Sequence, residues 1–168
     1  QILDVTGATL SQEAARIAQA QLRGVIDSQL DPWVLMTAVR DGSGTICDFR
    51  YRDANAAACT ANGLEREVLL QRTLLELFPE HEDSGLLAMY AHVVTTGEPL
   101  ALDDYPFLLP DSDGRPATRW FDNRVTRVDD GVSFTWRDVT ERVRHRQRLA
   151  EGAFRDPLTG LANRARLE

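Results

Sequence analysis

Any chemistry in this chain would rest on a few side chains: the thiols of Cys47 and Cys59 and the imidazoles of His81, His92 and His145. The two cysteines form neither a CxxC metal knuckle nor a disulfide framework. The histidines show no HExxH or other metal-ligand spacing, and the chain has no Ser-His-Asp set and no glycine-rich phosphate loop. No catalytic residue and no metal site is therefore expected. Cys59, in "AAACTANG", reads as a small buried hydrophobe, the usual state of a free thiol. His92, in "MYAHVV", has Met89, Tyr90 and Val93 beside it, and His81 stands in the loop "PEHED". An imidazole acts as a metal ligand only where it is aimed into a site, and a lone helical histidine is more often a surface residue.

Positioning such groups requires a fold, and 168 residues suffice for one ordinary domain with flanking elements. Hydrophobic residues make up 43% and charged residues 27%, a balance typical of a globular chain. The apolar stretches "WVLMTAV" and "GLLAMYA" are far shorter than the roughly 20 residues a bilayer demands. No basic start followed by an apolar block marks a secretory leader. A cytoplasmic segment with no membrane partner is expected. The net charge of −7 argues against a nucleic-acid partner. All 19 cations are arginines, a compositional trait given no functional weight.

Periodicity then sets out the elements. Residues 9–28 read as an amphipathic helix with Leu10, Ala14, Ile17, Ala18, Leu22, Val25 and Ile26 on one stripe, and Thr9 with Gln12 forms a candidate capping box. Pro32 breaks it. "WVLMTAVRDGSGTICDFRYRDAN" reads as two strands joined by a glycine turn. Three helices follow between Ala54 and Gly97, stopped by Gly63, Pro79 and Gly97. Strands are expected at 99–109, 116–128 and 131–138, separated by turn formers. Strands at both ends with helices between predict an α+β domain: a five-stranded antiparallel sheet with short helices on one face, flanked by amphipathic helices. Strand alternation turns Tyr51, Tyr105, Phe107, Phe121, Asn123, Phe134 and Trp136 toward the covered face. Each of them most simply fills the core.

The order of elements and two phrases resemble a PAS sensor domain over residues 31–138. "ICDFRYRDANAAACTANGLEREVLLQRTLLELFPE", with Asn55 after the strand and Gly63 before the next helix, is similar to the second strand and helices of that family. "GVSFTWRDVTERV" is similar to its last strand with the terminal Asp138, Val139 and Thr140. The resemblance implies a cavity between sheet and helices that takes haem, flavin, a small acid or nothing. Ligand-pocket candidates are then Tyr51, Cys59, His92, Tyr105, Phe107, Phe121, Asn123 and Phe134. The Asn-Cys-Arg-Phe phrase of flavin photosensors is absent, and haem would need His92 or His81 as an axial ligand. The sequence thus disfavours haem and flavin, leaves room for a small organic ligand, and requires no cofactor.

"DVT" has a physical role of its own: Asp138 or Thr140 can cap the helix that follows and tie it to the end of the strand. Beyond it, "DPLTGLANR" resembles the opening of a GGDEF domain, the catalytic unit of diguanylate cyclases. Asp156, Leu158, Thr159, Gly160, Leu161, Asn163 and Arg164 agree with that opening, which covers only residues 156–168. The catalytic loop of that family lies further downstream. The resemblance implies an input domain and its connector, cut just inside an output domain that joins two GTP into cyclic di-GMP at a face shared by two subunits. "DVT" also occurs at Asp4, Val5 and Thr6, so residues 1–8 read either as the tail of a preceding PAS-like module or as a chance tripeptide. Residues 9–30 are then a linker helix, 31–138 the PAS domain, 139–155 a signalling helix and 156–168 the truncated output.

In that signalling helix Val139, Val143, Ala150 and Ala153 make a weak heptad seam, with Arg146 at the intervening site, which could pair with a second copy as a marginal coiled coil. Gly152 weakens it by about 1 kcal/mol relative to Ala. The run Arg142, Arg144, His145, Arg146, Arg148 admits three readings: a solvated helix face, which is the default, a partner for an acidic surface, or an anion patch. The expected function is a sensory and dimerisation segment, a homodimer, controlling a diguanylate cyclase in the same chain. The alternatives are a ligand-free structural spacer and a degenerate GGDEF unit serving a cyclic di-GMP phosphodiesterase. A histidine kinase output is disfavoured because "DPLTGLANR" stands where a phosphoacceptor helix would start.

Overall fold

The structure, a computed structural model, describes residues 3–111 and 113–153. Along them run α1 (Leu3–Asp27), β1 (Trp33–Arg40), β2 (Ile46–Ala54), α2 (Ala56–Asn62), α3 (Arg66–Leu70), α4 (Leu74–Leu77), α5 (Glu80–Asp83) and α6 (Leu86–Thr96). Then come β3 (Leu100–Pro110), β4 (Pro116–Val128), β5 (Gly131–Asp138) and α7 (Thr140–Ala153). The strands form one antiparallel five-stranded sheet in the order β2-β1-β5-β4-β3, so the expected α+β class and strand count are present. The first strand lies beside the last, and the intervening helices carry the chain from one sheet edge to the other.

The chain divides into two compact units. The first holds residues up to 99 together with 125–135. Here β1 and β2 pair through a turn in which Asp41 Oδ1 accepts from the amides of Ser43 and Thr45, while Gly44 takes φ +86. That left-handed conformation is why glycine is needed there. Strand alternation buries Val34 and Met36 of β1 and Phe49 and Tyr51 of β2. Leu86, Tyr90, Val93 and Val94 recur at helical spacing on α6 and are all buried. Leu69 of α3 and Leu74 of α4 complete this core, each such side chain contributing about 1.5–3 kcal/mol. The second unit contains residues 100–124 and those from 136 onward: β3, most of β4, the end of β5 and α7.

Three elements depart from expectation: the segment read as a loop holding His81 forms the short helix α5, and two helices have other bounds. The single helix predicted before Pro79 is broken into α3 and α4, because Thr73 starts a new turn. Its amide donates to Glu76 Oε2 at 2.9 Å and its hydroxyl accepts from the Glu76 amide at 3.4 Å, a reciprocal capping box written in the sequence as T-L-L-E. The first helix begins at Leu3, ahead of Thr9, so Thr9 lies inside the helix and not at its start; Asp4, Val5 and Thr6 also lie within it. Among the described residues its apolar stripe stays open: Leu10, Ile17, Leu22 and Val25 are 46–67% exposed.

Candidate functional site

The end of β5 turns into α7 through three residues with separate tasks, all within the second unit. Asp138 Oδ1 accepts from the Thr140 amide at 2.9 Å, meeting one of the donors a helix start leaves unpaired. Thr140 does not cap. Its Oγ1 accepts from the Trp120 amide of β4 at 3.0 Å, and the Val139 amide donates to the Trp120 carbonyl at 2.8 Å. Residue 120 is thus gripped on both backbone groups by the helix start. Arg119 lies 3.7 Å from the outer oxygen of Asp138. Val139 and Val143 are buried (5% and 2% exposed), so the first positions of the predicted seam are packed into their own fold, and the apolar surface open on α7 lies further along, at Leu149.

The basic run on α7 resolves by position. Arg142 Nη2 donates to Asp104 Oδ1 at 2.7 Å and Asp122 Oδ1 at 2.9 Å, and Arg146 Nη2 donates to Asp104 Oδ2 at 2.7 Å. These two arginines serve an acidic partner on the strands and are not a purely solvated face, whereas His145 and Arg148 are exposed. The Arg142 and Arg146 guanidiniums hold the Asp104 carboxyl below the usual carboxylate range.

In the first unit, Tyr90 is fully buried at the centre of a ring cluster. Phe134 lies 5.3 Å from it, Phe49 6.1 Å away edge-on, and His81 6.3 Å away. Of the ligand-pocket candidates, Phe134 joins this cluster. Tyr90, Phe49 and His81 were not among them, although the 86-90-93-94 spacing on α6 marks Tyr90 as inward. Tyr51 is buried on β2, and burial followed by the charge of Asp48 pushes its phenol well above the usual range. His92 is not in an interior: the same spacing turns it outward, its side chain 65% exposed and 4.0 Å from Glu98. Cys59 is not a buried hydrophobe. It lines an open groove of about 490 Å³ with Arg23, Asp27, Thr60, Leu64 and Arg66, and burial raises its thiol pKa. In the second unit Asn123 is buried (4% exposed), while Tyr105, Phe107, Phe121 and Trp136 are partly covered.

Two polar centres fix α1 and α2 in the first unit. Asn55 is fully buried; its Oδ1 accepts from the amides of Trp33 (3.0 Å) and Ala58 (2.8 Å), and its Nδ2 donates to the Asp31 carbonyl (2.9 Å). Asp53 accepts from Arg23 and Arg66, each at 2.6 Å. Burial opposes its charge, but the two guanidiniums outweigh that and hold its carboxyl below the usual range. Among the described residues no group of three or more His, Cys, Asp or Glu side chains could hold a metal ion. No helix among them is long and apolar enough to cross a membrane. Asp156, Leu158, Thr159, Gly160, Leu161, Asn163 and Arg164 lie outside the described residues.

Comparison with known proteins adds the following. A family model described as the PAS fold matches residues 42–144. A domain of a sensory box sensor histidine kinase/response regulator from Geobacter sulfurreducens is 22% identical over 74% of this chain and 96% of its own, with a TM-score of 0.50. An RNA-binding light-oxygen-voltage receptor is 20% identical over 83% of this chain and 38% of its own, with a TM-score of 0.53. The PAS domain of a Colwellia psychrerythraea protein is 17% identical over 74% of this chain and 98% of its own, with a TM-score of 0.48. No curated protein sequence matches the chain.

Proposed function

Because the chain belongs to the PAS fold family, we propose that it is a cytoplasmic sensory and dimerisation segment that passes its state through Asp138, Val139 and Thr140 into α7. The observation that carries this reading is the double grip on Trp120. Its amide goes to the Thr140 hydroxyl and its carbonyl receives the Val139 amide, so a shift of β4 moves the start of the helix. The segment contributes no catalysis itself. The motif from Asp156 to Arg164 supplies the finer reading: the output is a diguanylate cyclase domain in the same chain, regulated by the spacing of two copies. The uncovered stripe on α1 supports a homodimer, since contiguous exposed apolar surface marks an interaction face.

The test is Asp138→Ala in the full-length protein. The cap contributes about 1 kcal/mol, so the domain should stay folded while cyclic di-GMP synthesis no longer responds to the input. Unchanged regulation would reject the junction as the route. Absence of any GTP-condensing activity would instead favour the degenerate output that serves a phosphodiesterase. An absorption spectrum and native mass of the purified chain separate a ligand-bound sensor from a ligand-free spacer.

A further inference from the structure

Strand β3 contains a backbone irregularity that its core packing does not explain. Asp104 has φ +51, a left-handed conformation uncommon for a residue with a side chain. At this point the burial alternation of the strand slips by one: Leu100, Leu102 and Asp104 are covered, then Tyr105, Phe107 and Leu109. A slip of one residue is the mark of a bulge, which re-aims a side chain. The Asp104 amide is turned to the side chain of Asp122, donating to Oδ1 at 3.0 Å. Its carboxylate is then presented to α7, where Arg142 and Arg146, four residues apart, lie on one helix face. Asp104 and Asp122 stand side by side as two negative charges, and Arg142 bonds to both.

From this geometry we infer that Asp104 is a latch: the bulge exists to aim one carboxylate at two arginines, clasping the first turns of α7 onto β3 and β4 so that the helix can be released and re-docked. The clasp is solvent-accessible, with Arg142 52% and Arg146 62% exposed, so its pairs are individually weak and screened by salt. Val139 and Val143 anchor the start of the helix by burial, and the weak, multi-point clasp beyond them is the part of the hold that can open. The inference concerns the docking of α7 itself and does not depend on what lies downstream.

Amide hydrogen exchange on the purified 168-residue chain tests it. Asp104→Asn keeps a residue type that tolerates the left-handed backbone and removes the charge. The α7 amides from Val143 to Ala150 should then exchange roughly 5- to 30-fold faster, the range for a loss of this size, while β1 amides keep their protection. Arg146→Gln, at an exposed position that does not endanger folding, should give a smaller increase at the same amides. Raising NaCl from about 0.05 M to about 0.5 M should speed α7 exchange in the parent chain and have a smaller effect on Asp104→Asn, in which the Arg142–Asp122 pair remains. Equal α7 exchange in the parent and both variants, with no salt response, overturns the latch and leaves Val139 and Val143 as the hold on the helix.

Discussion

His81 shows how burial sets the behaviour of one residue. Its ring packs against Phe78 at 5.9 Å and Tyr90 at 6.3 Å, with Nδ1 out of solvent. Burial disfavours the cation, and the adjacent Glu80 charge only partly compensates, so the folded pKa lies below the ordinary 6.5. The sign follows: below about 6.5 the unfolded chain takes up a proton that the folded chain refuses, so stability falls with pH and is fully present above that value. The slope from this residue is positive below about 6.5 and vanishes above it. Urea midpoints measured between about pH 5 and 7 should show this slope in the parent chain and a flatter one in His81→Gln; parallel profiles would refute the assignment. The environment of Asn55 is equally specific, four hydrogen-bonding positions meeting at a buried side chain directly after β2. The sequence marks it only as the Asn after the second strand, because Trp33 and Asp31, more than twenty residues away, supply two of the contacts.

At the scale of elements, β1 is held between β2 and β5, and Gly131 opposite Thr37 shows how closely. A Cβ on Gly131 would run into the Met36 carbonyl, which is backbone and cannot swing aside. Gly131→Ala should therefore cost about 1–3 kcal/mol by overpacking, read as a lower denaturant midpoint with unchanged slope. A midpoint equal to the parent's would mean that β5 can shift along β1 at no penalty. The break between α3 and α4 belongs to this scale too. It was legible, since Thr73 followed three residues later by Glu76 fits a capping box, but the helix-like stretch "EVLLQRTLLELF" masks it.

For the whole molecule, α1 matters most. A helix with a 3.6-residue apolar stripe exists to cover something, yet Leu10, Ile17, Leu22 and Val25 face solvent in a single chain. On the proposal that a second copy covers the stripe, Ile17→Glu should lower the dimer fraction by an order of magnitude or more in native mass spectrometry or sedimentation. Because Ile17 is already 46% exposed, thermal stability of the monomer should change by less than about 0.5 kcal/mol. A monomeric parent chain, or a dimer indifferent to the substitution, would remove α1 from the interface. Leu149 on α7 is then the next exposed apolar position to test.

Local periodicity and capping chemistry act over a few residues, so the chain by itself determined the α+β order of elements and the inward residues of most strands, and narrowed the cap before α7 to Asp138 or Thr140. Phase alone turns Tyr51, Asn123 and Phe134 inward, and the 86-90-93-94 stripe that buries Tyr90 also puts His92 outside. What only the tertiary structure decided are pairings between distant segments: Arg142 and Arg146 with Asp104, Thr140 with Trp120, Arg23 and Arg66 with Asp53. Charged and hydroxyl groups carry no label for their partners. A partner is fixed only when the sheet register brings two segments within hydrogen-bonding reach, as at Asp104, whose carboxylate meets two arginines of α7.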